Sequence, residues 1–302
     1  MNSTTKKSIH WTSSVAVFCA LFALHPLKAT AATLNGWQYA IDSFNDGVTE
    51  TQFGGGAFEF YGMAINETSD TVSIAINSNL SLAGYADSDA ARGTISYGDL
   101  FFNFSGQDFK TASANNSLFA VRFADGNDSG VATTGVYKDV TAKSVTQTNS
   151  GFSNLNEYNT LIASQGGTPS LGDLAATDPY FEQTGNNTIL NSIATGTKVG
   201  DIEFLTAATL SALGLNFAQF NAVGSQTIGF SFNKSSLPAG DFIANFLAEC
   251  ANDAIAIKGK FTPTAPGNPE PVPEPSTLVG TFVGLSFLGS RAAKRKMKRK
   301  IS

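Results

Sequence analysis

Apolar residues alternate with small or polar residues in runs bounded by Gly, Asn, Asp and Ser. This period of two, together with the Phe, Val and Ile content of the runs, predicts β-strands. In "TVSIAI" it places Val72, Ile74 and Ile76 on one side of a strand. The predicted strands are Gly55–Asn66, Thr71–Leu82, Gly98–Gly106, Ser117–Asp125, Thr133–Val145, Lys198–Phe204, Gln226–Asn233, Gly240–Ala248 and Ala254–Thr262.

Two segments change to helical spacing. Phe152–Gly167 has apolar residues three or four positions apart and ends in Gly, which predicts a helix. Leu205–Asn216 predicts a second short helix, with Thr206 as its N-cap and Gly214 as its stop. Strands that recur with turn residues between them favour a mainly β fold. We expect a single jelly-roll-like β-sandwich over residues 32–262, with the two helices covering an edge or an open end.

The N-terminus has the pattern of a secretory signal peptide. A basic start and the apolar run Val15–Leu24 precede the small residues Ala29 and Ala31. This order predicts export, with cleavage by signal peptidase after residue 31. We therefore set residues 1–31 aside before considering the fold.

The C-terminus has three parts of different composition. Residues 263–271 are rich in proline and predict an extended linker. The uncharged run Ser276–Ser290 would span about 22 Å as a helix, which is shorter than a hydrocarbon core of about 30 Å. A basic cluster follows, and such a cluster is retained on the cytoplasmic side of a membrane. Its residues are Arg291, Lys294, Arg295, Lys296, Lys298, Arg299 and Lys300.

The order of these parts resembles a known sorting signal. Pro273, Glu274 and Pro275, followed by the apolar run and the basic tail, are similar to the PEP-CTERM signal of bacterial exosortase systems, here residues 272–302. The resemblance implies that an exosortase, a membrane protease-transpeptidase, cuts near the motif, so that membrane attachment is transient. A weak permanent membrane anchor is the alternative.

The central body carries a second resemblance. "GWQYAIDSFNDG", "AINSNLSLAGY", "YGDLFFNFSG" and "AECANDAIAIKG" are similar to segments of exosortase-dependent surface proteins from cyanobacteria. This resemblance implies an exported protein of the cell surface, outer envelope or extracellular space. It implies no catalytic residue.

Charge and histidine content narrow the classes of function. Residues 32–290 contain nine of the 19 basic residues and all 24 acidic residues, a net charge of −15. This charge argues against nucleic acid as a partner. Both histidines, His10 and His25, lie in the signal peptide. The body therefore cannot form a His-based nucleophilic site or a His-ligated zinc site, and we expect a protein that is not an enzyme.

Carboxylates and one cysteine are the remaining chemical resources. Paired carboxylates can hydrolyse glycosides without histidine, so a glycosidase stays open as a third hypothesis. Its candidate residues are Glu59, Asp99, Glu203 and Glu249. Cys250 is predicted to be a small buried apolar residue, with a cross-linking thiol as the alternative.

Short acidic turns suggest calcium as the one cofactor to consider. "DGNDSG" offers oxygens from Asp125, Asn127 and Asp128 around glycines. The alternative is a solvated turn in which Asx side chains bond to the backbone. Weaker candidates are the pair Asp87 and Asp89 and the group Asp42, Asn45 and Asp46.

These patterns together predict an exported, exosortase-processed surface or extracellular-matrix protein with a non-catalytic structural or adhesive role. The alternative is a carbohydrate-binding module, with calcium-dependent binding of a surface polysaccharide. The two differ in whether the body binds a glycan and whether EDTA abolishes that binding.

Overall fold

The computed structural model describes residues 32–182 and 187–263. Strands make up 40% and helices 16% of this part, which confirms the mainly β fold class. The predicted signal peptide and the predicted sorting signal lie outside the described residues. Among the helices that are described, none is long and apolar enough to cross a membrane.

Most strands belong to two six-stranded sheets in which every neighbouring pair is antiparallel. The first sheet has the order β1 (Ala32–Leu34), β2 (Trp37–Ile41), β5 (Phe60–Glu67), β6 (Thr71–Ser78), β14 (Gln226–Asn233) and β13 (Glu203–Leu205). The second has the order β12 (Ser192–Gly200), β11 (Gly135–Lys143), β10 (Leu118–Arg122), β9 (Leu100–Asn103), β15 (Gly240–Leu247) and β16 (Ala254–Phe261). Two small hairpins are β3 (Val48–Thr49) with β4 (Gln52–Phe53) and β7 (Tyr85–Ala86) with β8 (Thr94–Ile95).

Residues from both sheets share the largest apolar core. The rings of Phe60 and Phe246, one from each sheet, have centroids 4.9 Å apart. Phe123, which follows β10, stacks on Phe230 of the first sheet at 5.1 Å. The predicted face of β6, with Val72, Ile74 and Ile76, lies entirely in this core, so that prediction is confirmed.

The described part contains three α-helices: α1 (Phe109–Ala114), α2 (Leu155–Ser164) and α3 (Ala207–Ala212). The two predicted helices are confirmed as α2 and α3. The Thr206 side chain caps α3 by accepting from the Thr209 N–H, and Gly214 follows the helix at a φ of +84°, as predicted. The short helix α1 was not predicted, although Asp108 caps its N-terminus.

The helices cover the outer faces of the sheets. Leu210 of α3 packs with Ala75 in a second cluster outside the first sheet. On the second sheet, Phe101 meets Phe109 of α1 edge to face at 5.1 Å. Both faces of the central strands are therefore buried, which explains why the intervening positions are small residues such as Ala75.

One predicted strand is wrong in its extent. Lys198–Phe204 was predicted as a single strand, but β12 ends at Gly200 in the second sheet and β13 begins at Glu203 in the first. The chain changes sheets at Asp201 and Ile202. Each of the other predicted strands overlaps an observed strand. Strands β1, β2, β3, β4, β7 and β8 lie outside all the predicted ranges, and most of β12 precedes the range predicted for it.

Candidate metal centre

Four buried carboxylates lie close together in the body. Asp46, Glu59 and Asp253 each place a carboxylate oxygen within 4.8 Å of the others, and none of the three has solvent exposure. Asp42 is 5% exposed, and it belongs with the other three because, after burial, the Asp46 charge raises its pKa and the charges of both aspartates raise the pKa of Asp253. We call Asp42, Asp46, Glu59 and Asp253 the acidic cluster.

The cluster forms where three segments that are distant in sequence meet. Asp42 and Asp46 lie in the loop after β2, Glu59 directly precedes β5, and Asp253 directly precedes β16. Strands β2 and β5 are neighbours in the first sheet, whereas β16 is an edge strand of the second. The cluster therefore connects the two sheets at one end.

Glycine at position 47 allows the loop to approach β5. Glu59 Oε2 accepts hydrogen bonds from the N–H groups of Gly47 at 3.0 Å and Gly55 at 2.9 Å. A Cβ atom at position 47 would lie 2.6 Å from Glu59 Cα, closer than real side chains approach. A larger residue would push this loop away from Glu59.

Backbone donors from a second loop hold the two aspartates. Asp46 Oδ2 accepts from the Ser170 N–H at 2.7 Å, and Asp42 Oδ1 accepts from the Gly172 N–H at 3.2 Å. The loop after α2 is thereby fastened to the loop after β2.

Asp253 is held from its own strand and from the first sheet. Its Oδ2 accepts from the Phe60 N–H at 2.7 Å, and its Oδ1 accepts from the Ala254 N–H at 2.7 Å. The buried hydroxyl of Tyr158 also donates to Oδ1, at 3.4 Å. Both oxygens of Asp253 therefore have protein partners.

Three buried oxygens of the cluster have no hydrogen-bond partner: Asp42 Oδ2, Asp46 Oδ1 and Glu59 Oε1. Among the described residues, no lysine or arginine forms an ion pair with any of the four carboxylates. The cluster thus concentrates acidic groups away from water without a positive partner from the body.

Burial makes these four carboxyl groups weaker acids than exposed Asp and Glu side chains. It raises the pKa of Asp46 to about 7, and burial together with the Asp46 charge raises the pKa of Glu59 to about 7. The pKa values of Asp42 and Asp253 lie well above the ordinary range, first because of burial and then because of the Asp46 charge. Without a cation, the cluster therefore retains protons near neutral pH.

The donor set fits one class of ion. All the available ligands are carboxylate oxygens, and hard cations such as calcium take oxygen ligands. Zinc and copper sites normally need imidazole or thiolate groups, and the cluster has neither.

The turn predicted to bind calcium is organised by an arginine instead. Arg122, buried at 4% exposure, donates from Nε to Asn127 Oδ1 at 3.0 Å and from its terminal nitrogens to the carbonyl oxygens of Asp125 and Val131. The Asp125 carboxylate is exposed, and Asp128 Oδ2 accepts from Asn149 Nδ2. Calcium at Asp125, Asn127 and Asp128 stays a prediction, but a guanidinium already occupies the centre of this turn.

The residues of the two weaker calcium candidates lie in different environments in the structure. Asp87 Oδ1 accepts from the Asp89 N–H at 2.8 Å, which is the Asx-turn alternative, and Asp89 is exposed. From the third group, Asp42 and Asp46 enter the acidic cluster, whereas Asn45 is exposed and its Oδ1 accepts from the Thr168 N–H.

The carboxylates suggested for glycoside hydrolysis have three different environments. Glu59 lies in the acidic cluster, and Glu203 is exposed on β13. Asp99 and Glu249 are both buried, and burial, with smaller contributions from the Asp128 and Asp99 charges, raises the pKa of Glu249 to about 7. Cys250 is fully buried in the core between the sheets, as predicted.

Sequence reasoning missed Asp253 and did not assign Glu59 to a metal. Asp253 is separated from Asp46 by most of the body, so no local spacing connects them. The signal that the sequence does contain is the pair Asp42 and Asp46 next to Gly47.

Comparison with protein-family models, with curated proteins and with solved structures finds no match for this chain. The site must therefore be interpreted from its own chemistry.

Proposed function

We propose that this chain is an exported, exosortase-processed surface or extracellular-matrix protein with a non-catalytic structural or adhesive role. One observation carries the proposal. The last strand, β16, ends at Phe261 at the edge of the second sheet, directly before the Pro-rich linker and the PEP-CTERM-like segment. Within the described residues, the last strand thus ends next to the linker, as expected for a domain displayed on a stalk.

A jelly-roll-like β-sandwich is the fold that we propose for this body. Its support is the shared core, in which Phe60 contacts Phe246 and Phe123 contacts Phe230 across the sheets. Cys250, the cysteine of the described residues, is free, so the proposed sandwich is held by its shared core and not by a disulfide.

The sorting proposal is tested by replacing Pro273, Glu274 and Pro275 together with alanine. The variant should stay in the membrane fraction at a higher mass than the wild type, because the protease loses its motif. The chain offers a matched control in a second Pro-Glu-Pro, Pro269–Pro271, which is not adjacent to the apolar run. Alanines there should leave processing unchanged. Normal release of the first variant would contradict the proposal.

Carbohydrate binding is the second candidate, and a groove favours it. The groove has a volume of about 1260 Å³ and lies where β2 of the first sheet approaches β15 and β16 of the second. The polar side chains of Asn103, Asp173 and Asp241 line it, together with the largely buried aromatic rings of Tyr180 and Phe242. Its volume exceeds that of pockets for compact ligands, as an extended polysaccharide requires.

Binding can be tested at the rim of this groove, where Lys260 and Asp241 form an exposed ion pair of 3.2 Å. Replacing both with alanine should reduce retention of the protein by its own surface polysaccharide in affinity electrophoresis. The control is the exposed pair Lys198 and Asp201 near β12, at the opposite edge of the same sheet. Equal retention of wild type and both variants would remove this candidate.

A further inference from the structure

The unpaired oxygens indicate that the acidic cluster lacks a positive partner. Buried polar atoms are paired in the great majority of cases, so three unpaired carboxylate oxygens in one place require an explanation. The other oxygens of Asp42, Asp46 and Glu59 are occupied by backbone N–H groups. Asp46 Oδ1 and Glu59 Oε1 are therefore left for a ligand, and an Asp253 oxygen can bind the same ligand beside its hydrogen bond because a carboxylate oxygen has two lone pairs.

The size of the cluster agrees with a single ion. Calcium binds oxygen at about 2.3–2.6 Å, so two ligands of one ion can be separated by up to about 5 Å. The oxygens of Asp46, Glu59 and Asp253 lie within 4.8 Å of one another, inside this limit. Magnesium usually keeps several waters and binds through one or two carboxylates, whereas this cluster presents buried carboxylates from three residues.

We propose that Asp46, Glu59 and Asp253 bind one divalent cation, calcium in preference to magnesium. Asp42 adds negative charge beside the ion. This inference goes beyond sorting and display and does not depend on them.

The ion would act as a structural clamp. It ties the loop after β2 to the start of β5 and to the turn before β16, and so joins the two sheets at one end. Because the ligands are fully buried, the ion binds as the body folds and leaves only when this end opens. The hydroxyl of Tyr158, which donates to Asp253, lies beside the ion.

The test uses the full chain, purified with calcium and divided into two samples, one of which is treated with EDTA. The calcium sample should contain one calcium per chain by elemental analysis. Its melting temperature should exceed that of the EDTA sample by about 5–10 °C when calcium is a hundredfold above its Kd. Terbium, which takes the same oxygen ligands, should replace calcium and give emission on excitation of tyrosine, and Tyr158→Phe should reduce that emission without reducing the metal content.

Two variants locate the ion. Asp46→Asn should lose the bound calcium and the calcium-dependent rise in melting temperature. Asp99→Asn changes an equally buried aspartate outside the cluster and should keep both. If Asp46→Asn does not fold, the metal content and terbium emission of the wild type and Tyr158→Phe decide the question.

Two results would overturn the proposal. One is a wild-type chain that contains no calcium and melts at the same temperature in calcium and in EDTA. The other is calcium retained by Asp46→Asn but lost when Asp125 and Asp128 are both replaced with alanine, which would place the ion in the turn predicted from sequence.

Discussion

The body contains two buried acidic regions that differ in how their charges are compensated. In the acidic cluster, three oxygens are unpaired and no arginine or lysine of the described chain forms an ion pair with it. In the other, which we call the arginine-paired region, Asp99, Glu249 and Asn127 lie with Arg122. Similar burial of carboxylates is therefore accompanied by an internal cation in only one region.

Hydrogen bonding makes the same distinction. Asp99 accepts from Asn127 Nδ2 at 2.9 Å and from the Ile193 N–H at 2.7 Å. Glu249 accepts from the Ser96 N–H at 2.8 Å and from the Asp128 N–H, so all four carboxylate oxygens have partners. Burial still raises the pKa of Asp99, but the hydrogen bonds from Ile193 and Asn127 oppose that rise, and the Arg122 charge adds a smaller effect in the same direction. A region that the protein completes by itself has no place for an ion, whereas the acidic cluster does.

The largest effect should come from removing the internal cation. Arg122→Met should destabilise the body by about 3–5 kcal/mol, since it leaves buried acceptors without donors and Asp99 without a positive neighbour. Urea unfolding should show this loss equally with calcium and with EDTA. Arg92 is the control: it is exposed and donates to the Asn127 carbonyl oxygen at 3.0 Å, so Arg92→Ala should cost below about 1 kcal/mol. Similar losses for the two variants would contradict the role given to Arg122.

In the acidic cluster, the effect of Asp46→Asn on stability should change sign between EDTA and calcium. In EDTA at pH 8, Asp46→Asn should stabilise the body by about 2 kcal/mol, because it removes an ionised group whose pKa is raised by burial to about 7. The new amide can donate where Oδ1 was unpaired, and its oxygen can keep the Ser170 bond. In calcium the same change should destabilise. Unfolding in both conditions, with Asp99→Asn alongside, measures this, and a destabilisation of the same size in both would show that the site binds no ion.

Asp173 is an intermediate case that tests the electrostatic argument away from both regions. Burial raises its pKa to about 6, although Oδ2 accepts from the Lys258 N–H and the Lys258 charge favours ionisation. The folded state therefore holds a proton that the unfolded state releases near pH 4. The stability that this proton contributes is complete below about pH 4 and is lost as the pH rises through 6.

Asp173→Asn should remove this pH dependence, which we expect to be at most about 3 kcal/mol. Unfolding in EDTA at intervals between pH 4 and 7 should give a smaller fall for the variant than for the wild type. Asp241→Asn, on an exposed side chain in the same groove, is the control and should follow the wild type. Parallel profiles for wild type and Asp173→Asn would show that the carboxyl is already ionised at low pH.

The sequence was sufficient for most of the fold because the signals for it are local. Thr206 and Gly214 mark the ends of α3, and alternation marks strands such as β6. The missed helix α1 is too short for a periodic pattern, and the chain crosses between sheets at Asp201 within a run that looks continuous. Strand order and register depend on contacts between distant segments and have no local signal.

Sequence reasoning identified only part of the acidic cluster, for the same reason. Asp42 and Asp46 were recognised as a close pair, but Asp253 is placed beside them by the pairing of β16 with β15 and by the contact between the two sheets. For the predicted calcium turn, the missing information was the direction of Arg122. It belongs to a predicted strand, and only the fold shows that its side chain turns back towards Asn127.

The smallest effect should come from the exposed part of that turn. Asp125 is 4.0 Å from Arg122 with a side chain that is 90% exposed, so Asp125→Ala should change stability by less than about 0.5 kcal/mol. Adding Asp128→Ala removes one acceptor of Asn149 Nδ2, which keeps its bond to the Val145 carbonyl oxygen. The double variant should therefore retain the full calcium-dependent rise in melting temperature. Scanning calorimetry in calcium and in EDTA measures that rise, and its loss in the double variant, with Asp46→Asn unaffected, would return the calcium site to Asp125, Asn127 and Asp128.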